Sequence, residues 1–377
     1  MKIAIVHDYL NQYGGAEKVV EALHDLYPEA PIYTSIYLPQ NLPAVFGKMD
    51  IRTSFMQRLP FLKTHFKKYL MLYPMAFERL DLRAYDVILS SSSGFAKGVK
   101  TPANCLHICY CYSPMRFAWN YESYIAQESL SSLVRSLLPF FISRLKRWDL
   151  DKNKGVDCFI AISKCIQERI RKCYNLPSTL IYPPVHVKGF KIAEETSSYF
   201  LVVSRLNAYK RIDLVIEAFN RLGLPLKIVG DGPHRKTLEA MSASNIEFLG
   251  KLPNELLPQV YGHCEALIFP GSEDFGIVPV EAQACGRPVI AYASGGALET
   301  VIDGVTGLFF KEPNADALIQ AVKKFEKIKG NFFPSIVRNN ALRFDETLFK
   351  KEMKDFIAKK YEDFRSSMSP RRMYASA

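Results

Sequence analysis

The chain lacks most of the features that would place it in a specialised class. Its eight cysteines form no Cys-x-x-Cys pair and no Cys/His spacing suited to zinc. Cys105, Cys109 and Cys111 alternate along an apolar stretch and read as small strand residues. This usage argues against a disulfide scaffold and points to a reducing, cytoplasmic setting. No run of 18 apolar residues occurs, so no membrane-spanning helix is expected. The opening MKIAIVHDYL has too short an apolar run for a signal peptide and meets Asp8 at once. Tandem repeats are absent, and so is the full Gly-x-Gly-x-x-Gly dinucleotide fingerprint. The two halves share only a strand–helix rhythm.

What remains is an ordinary globular composition, 48% apolar and 23% charged over 377 residues. That length is long for one core and predicts two domains. The net charge is +11, and it is uneven: residues 1–186 hold 23 Lys and Arg against 15 Asp and Glu. A basic first half fits anionic surfaces or phosphorylated ligands, and it equally fits a generic basic surface. No nucleic-acid partner is expected.

Taken in order, residues 2–9 read as a buried strand, Asn11–Glu17 as a Gly-rich turn and Lys18–Leu26 as a helix. The turn lies where open α/β sheets bind ligands, so Gly14-Gly15 is a candidate for close approach to a phosphate or sugar. Residues 55–83 and 130–147 mix aromatic, leucine and basic residues. They suit either an anionic membrane interface or amphipathic helices packed on their own domain. Val87–Leu89, Leu106–Cys111 and Cys158–Ser163 read as further strands, with Ser163 capping the next helix. The loop after the second of these carries Tyr112 and Arg116, the latter suited to a phosphate or carboxylate. Ile181-Tyr182-Pro183-Pro184 and the polar stretch to Ser198 read as a linker.

A second strand–helix series starts at Tyr199. Arg205 and Lys210 lie in the loop before the helix from Ile212, and two cations there suit a diphosphate. The sharpest stretch is Ser272–Glu281, SEDFGIVPVE, which sets Glu273 and Glu281 eight positions apart around Phe275, Gly276 and Ile277. It reads as a strand end, a tight turn and a helix start. Gly276 permits close ligand approach, and new-helix amides favour anions.

These pieces, SRLNAYKRID, GDGP, FLGKL, SEDFGIVPVEAQACGRPVIAYASGGALETV and DGVTGLFF, resemble in family order the donor domain of retaining glycosyltransferases of family 4. The first half resembles the same family more loosely through HDYLNQYGGAEKV, YSPMRFAW and IAISKCIQERI. The combination is similar to bacterial mannosyltransferases of O-antigen and exopolysaccharide assembly.

The resemblance implies an α/β, GT-B architecture: two Rossmann-like domains with parallel sheets facing across a cleft. The expected boundaries are an acceptor domain at 1–186, a nucleotide-sugar donor domain at 187–345, a C-terminal helix at 346–365 crossing back to the first domain, and a tail at 366–377. It also implies that Arg205 and Lys210 bind the donor diphosphate, that Glu281 binds the ribose, and that Glu273 faces the sugar. Backbone near Phe275, Gly276 and Ile277 would contact sugar hydroxyls, and backbone near Lys251 and Leu252 would read the base. Gly15 would sit under the phosphate. Many relatives have His where this chain has Tyr112, and many have Asp where it has Asn120, so no His-assisted contact is carried over.

The implied activity moves a hexose, with mannose from GDP-mannose favoured, to a glycan or lipid-linked glycan in cell-surface polysaccharide synthesis. No metal or other cofactor is expected. The expected location is cytoplasmic, with peripheral contact at the inner face of the cell membrane. The rivals are a nucleotide-sugar epimerase on the same architecture and a non-catalytic nucleotide-sugar-binding partner of an assembly complex.

Overall fold

The computed structural model describes residues 1–119 and 132–367. The chain divides into two units, one formed by Met1–Pro184 with Phe349–Ala377 and the other by Val185–Leu348.

The first unit holds a seven-stranded sheet: β1 (Ile3–His7), β2 (Ile32–Thr34), β3 (Ile51–Thr53), β4 (Val87–Ser92), β5 (Leu106–Cys111), β6 (Cys158–Ala161) and β7 (Thr179–Leu180). Its spatial order is β3-β2-β1-β4-β5-β6-β7, and every pairing is parallel. The central strands β1, β4 and β5 are buried at every residue, which is why Ile3–Val6, Val87–Leu89 and most of Leu106–Cys111 are apolar. Strands β2, β3 and β7, of two or three residues each, gave no such run.

The second unit holds β8 (Phe200–Val203), β9 (Leu226–Val229), β10 (Ile246–Gly250), β11 (Leu267–Phe269), β12 (Val289–Tyr292) and β13 (Gly307–Phe310). Their order is β10-β9-β8-β11-β12-β13, again all parallel. This is the doubly wound arrangement, with the direction of winding reversing between β8 and β11. The core lies between sheet and helices, as where Phe200 packs edge-on against Phe219 and Phe325.

Helix starts follow their caps. Glu17 Oε2 accepts from Gly14 N at 2.8 Å, so the first helix begins at Gly15 rather than Lys18 and runs to Leu26. Ser163 Oγ accepts from Ile166 N, and Asn314 Oδ1 from Ala317 N. The aromatic–basic stretch 55–83 forms short helical pieces instead of one amphipathic helix. Pro60 and Pro74 interrupt it, and Phe61 takes a left-handed φ of 52°. The second such stretch belongs to a helix at Ser132–Lys152 that contains Pro139. The last helix spans Glu346–Ser367, with Phe349 edge-on to Tyr110 at 5.8 Å. The expected tail at 366–377 lies largely outside the described residues.

The linker is fastened to the second unit by two guanidinium groups. Arg338 donates to the carbonyls of Phe190 (2.7 Å) and Ala284. Arg287, 6% exposed, donates to Gly262 O at 2.6 Å and Ala193 O at 3.4 Å.

Candidate functional site

The loops leaving β8 and β11 meet at the point where the second sheet reverses its winding. Lys210 ends the Ala208–Lys210 turn after β8, and Glu273 follows β11. Their side chains form an ion pair, with Lys210 Nζ donating to Glu273 Oε1. Both are largely shielded, at 12% and 27% exposure. Arg205 begins the same loop and is exposed. A largely shielded cation and anion at a sheet's carboxyl edge make a polarised site suited to a diphosphate and a polar ring.

Glycines hold these loops by letting backbone touch backbone. A Cβ on Gly230 would lie 1.8 Å from Ser204 O, and one on Gly232 would lie 2.5 Å from Leu206 O. The GDGP turn therefore braces the Arg205–Lys210 loop. A Cβ on Gly295 would meet Glu273 O at 2.2 Å, and one on Gly296 would meet Phe275 O at 2.1 Å. Gly296 N also donates to Glu273 O at 2.8 Å. The Ser294-Gly295-Gly296 turn thus fixes the segment that carries Glu273.

Gly276, at φ +89°, opens the Ile277–Ala284 helix. Phe275 is buried and edge-on to Phe344 at 5.3 Å. Glu281 is 4% exposed, and Tyr261 OH donates to its Oε2 at 2.9 Å. Burial, then the nearby Glu281 charge, holds the Tyr261 phenol well above its usual range, so it stays a donor. Lys251 and Leu252 follow β10, where Gly250 O accepts from Gly230 N at 2.7 Å.

Gly15, Tyr112 and Arg116 belong to the first unit. There the winding reverses between β1 and β4, and a polar web fills the strand ends. Asp8, 2% exposed, accepts from the amides of Ser93 (2.6 Å), Phe95 (2.7 Å) and Ala96 (2.7 Å). Tyr112 OH donates to Ala16 O at 3.0 Å and lies 2.7 Å from Ser91 Oγ. His7 Nδ1 lies 3.0 Å from the same Oγ. Tyr112 therefore anchors the first turn of the Gly15 helix. Arg116 is exposed on a short helix, Arg116–Trp119. Asn120 lies outside the described residues.

Behind that helix, Lys97 and Asp149, 2% and 0% exposed, pair at 2.8 Å. Trp119 Nε1 and Tyr174 OH both donate to Asp149 Oδ2 at 2.8 Å. Asp149-Leu150-Asp151 is an Asp-x-Asp string, a pattern that elsewhere can hold metal. Asp149 is occupied in this buried network, and Asp151 is exposed beside Lys154 at 3.0 Å. Among the described residues no group of three or more His, Cys, Asp or Glu side chains gathers to hold a metal ion. No described helix is long and apolar enough to cross a membrane.

Sequence reasoning passed over Tyr261, Asp8 and the Lys97–Asp149 pair. A tyrosine on a short helix reads as core, and its partner lies 20 positions away. Asp8 carried a signal in being a charge directly after a buried strand.

Residues 188–341 match the family model described as glycosyl transferases group 1. A GDP-mannose-dependent alpha-(1-6)-phosphatidylinositol monomannoside mannosyltransferase of Mycolicibacterium smegmatis is 37% identical over 219 residues, 50% of this chain and 56% of that protein. The O-antigen chain mannosyltransferase C of Escherichia coli is 26% identical over 237 residues, 57% of this chain and 63% of that protein. The matches thus span less than two thirds of these relatives' lengths. Among solved structures, sucrose-phosphate synthase of Thermosynechococcus elongatus has a TM-score of 0.76 at 19% identity, over 96% of this chain and 100% of that one. Anabaena HepE in complex with UDP has a TM-score of 0.71 at 17% identity, over 95% and 100%. Residues 188–341 are therefore similar to group 1 glycosyl transferases, and the two parallel-sheet, Rossmann-like units of the chain match GT-B glycosyltransferase structures.

Proposed function

We propose that this chain is a retaining hexosyltransferase that moves mannose from GDP-mannose to a lipid-linked glycan in cell-surface polysaccharide synthesis. The observation that carries the reading is the Lys210–Glu273 pair at the winding reversal of the second sheet. Breaking an anomeric bond to a nucleoside diphosphate builds negative charge on phosphate and positive charge on the sugar. In this reading Lys210 and Arg205 stabilise the first, and Glu273 steadies and orients the second. The acceptor attacks on the face the diphosphate leaves, and the leaving phosphate takes its proton. Glu281 takes the ribose, the backbone at Phe275, Gly276 and Ile277 the sugar hydroxyls, and the backbone at Lys251 and Leu252 the base. The two cations supply the charge the diphosphate needs, and we assign no metal or other cofactor.

The activities of the mannosyltransferase relatives support the choice of sugar. Phe61, Phe140 and Phe141 are exposed, as are Arg144 and Arg147. These residues support acceptor access from an anionic membrane face.

The test is a thermal-shift panel of GDP, UDP, ADP and their hexose conjugates, without added metal, followed by turnover on the best donor. A ligand at a hundred times its Kd adds about 2.7 kcal/mol of stability, which is a readable shift. A preference for GDP-mannose is expected. A preference for a UDP-sugar would replace the sugar and keep the reaction class. Conversion of donor without acceptor would favour an epimerase, and no shift with any compound would favour a scaffold of a glycan-assembly complex.

A further inference from the structure

We infer that Tyr261 is a positioning residue for nucleotide recognition, fixing the Glu281 carboxylate so that its other oxygen meets the ribose hydroxyls of a nucleoside diphosphate. The inference rests on the ribose assignment of Glu281 made above.

Glu281 sits in the fifth position of the Ile277–Ala284 helix and is 4% exposed. A carboxylate this far from water needs donors to keep its charge, and its orientation is set by them. Tyr261 OH is such a donor, 2.9 Å from Oε2. The ring is held in place. Tyr261 is 0% exposed, and Phe190 stands edge-on to it at 5.9 Å. Its backbone carbonyl also accepts from Cys264 N.

The residue's place in the chain adds a second argument. Tyr261 lies on the Leu257–His263 helix, joined by a short turn to Lys251 and Leu252, the segment assigned to the base. Eleven residues (251–261) thus run from the base contact to the group that aims the ribose contact. A Tyr at this position serves the nucleoside half of the donor, not the sugar half.

A neutral donor on a charged, buried acceptor is among the stronger hydrogen bonds. Tyr261→Phe keeps the ring and removes only the hydroxyl, so the fold should hold, and a melting curve checks it. Calorimetric titration with GDP and UDP, and with the 2′,3′-dideoxy form of whichever binds, reads the effect. Tyr261→Phe should weaken the ribonucleotide about tenfold, a change of about 1.4 kcal/mol. The dideoxynucleotide should bind variant and wild type alike. In a Glu281→Gln background the same change should cost clearly less, since the charged acceptor is gone. Equal losses for ribo- and dideoxynucleotide would make Tyr261 merely structural and overturn the inference, as would no loss at all. A wild type indifferent to the ribose hydroxyls, or binding neither nucleotide, would overturn the underlying assignment of Glu281 instead.

Discussion

Replacing Lys97 by Met should cost the first unit several kcal/mol, out of proportion to the loss of one contact. The two side chains are 2% and 0% exposed, so Asp149 would keep a charge sealed from water with its cation gone. Removing one partner of a buried ion pair costs about 3–5 kcal/mol. Trp119 and Tyr174 still donate to Asp149 Oδ2, which favours the lower part of that range. The assay is built into the sequence, because both of its tryptophans, Trp119 and Trp148, belong to the first unit. Intrinsic fluorescence in urea therefore follows that unit alone, avoiding a single free energy for a two-unit chain. At a slope of roughly 2 kcal/mol per molar, the midpoint should fall by about 1.5 M. Lys97→Met with Asp149→Asn leaves no lone charge and should recover part of the loss. A fall under about 0.5 M for Lys97→Met, or a double variant weaker than the single, would refute the reasoning.

Further outcomes follow from the site and its supports. Glu273→Gln should lower kcat about a hundredfold while nucleoside diphosphate binding persists, because Lys210 is retained; steady-state kinetics with calorimetry reads both. Gly296→Ala should cost about 1–3 kcal/mol and reduce turnover, since its Cβ would press on the Phe275 backbone. Gly330→Ala, where a Cβ meets nothing within 4 Å, is the neutral control in the same melting assay. Burial lowers the His107 pKa to about 4 from 6.5. The unfolded chain therefore binds a proton that the folded chain refuses, and stability falls as pH drops from 6.5 to 4. The loss is on the order of 3 kcal/mol, and His107→Gln should flatten that part of the urea-midpoint profile. Phe140→Ser with Phe141→Ser should reduce sedimentation with anionic liposomes at low salt, and equal sedimentation would remove the membrane proposal.

The parts of the molecule that were legible in the sequence share a physical cause. Strands β5 and β8 to β12 are apolar over most of their length, and β4 over its first half, because parallel strands are covered on both faces, and each is followed by a polar or Gly-rich turn. Arg205, Lys210 and Glu273 stood out as charges in those turns, and Glu281 as a charge inside an otherwise uncharged helix. Strands β2, β3 and β7 were missed because two or three residues cannot show a period. Their place in the sheet comes from pairing, as where Ile32 to Thr34 align with Ile51 to Thr53. Tyr261 and Lys97 were missed for a different reason. Their roles rest on partners 20 and 52 positions away, and the local pattern shows only an ordinary aromatic and an ordinary lysine. In the sequence, GDGP and Ser294-Gly295-Gly296 show only as Gly-rich turns after strands. Contact between two separate loops, as at Gly230 and Gly295, was beyond what spacing reveals.

That contact has a consequence for how such a site can change. The loops bearing Arg205, Lys210 and Glu273 are located by carbonyls and α-carbons, which every residue type shares. Side chains beside them, such as those of Asn207 and Ala208, are therefore not needed to hold the frame. They are open to substitution by mutation or by design, and a library confined to those positions would sample new donors and acceptors without loosening the charged pair at the centre. The glycines make the site a fixed socket with exchangeable walls.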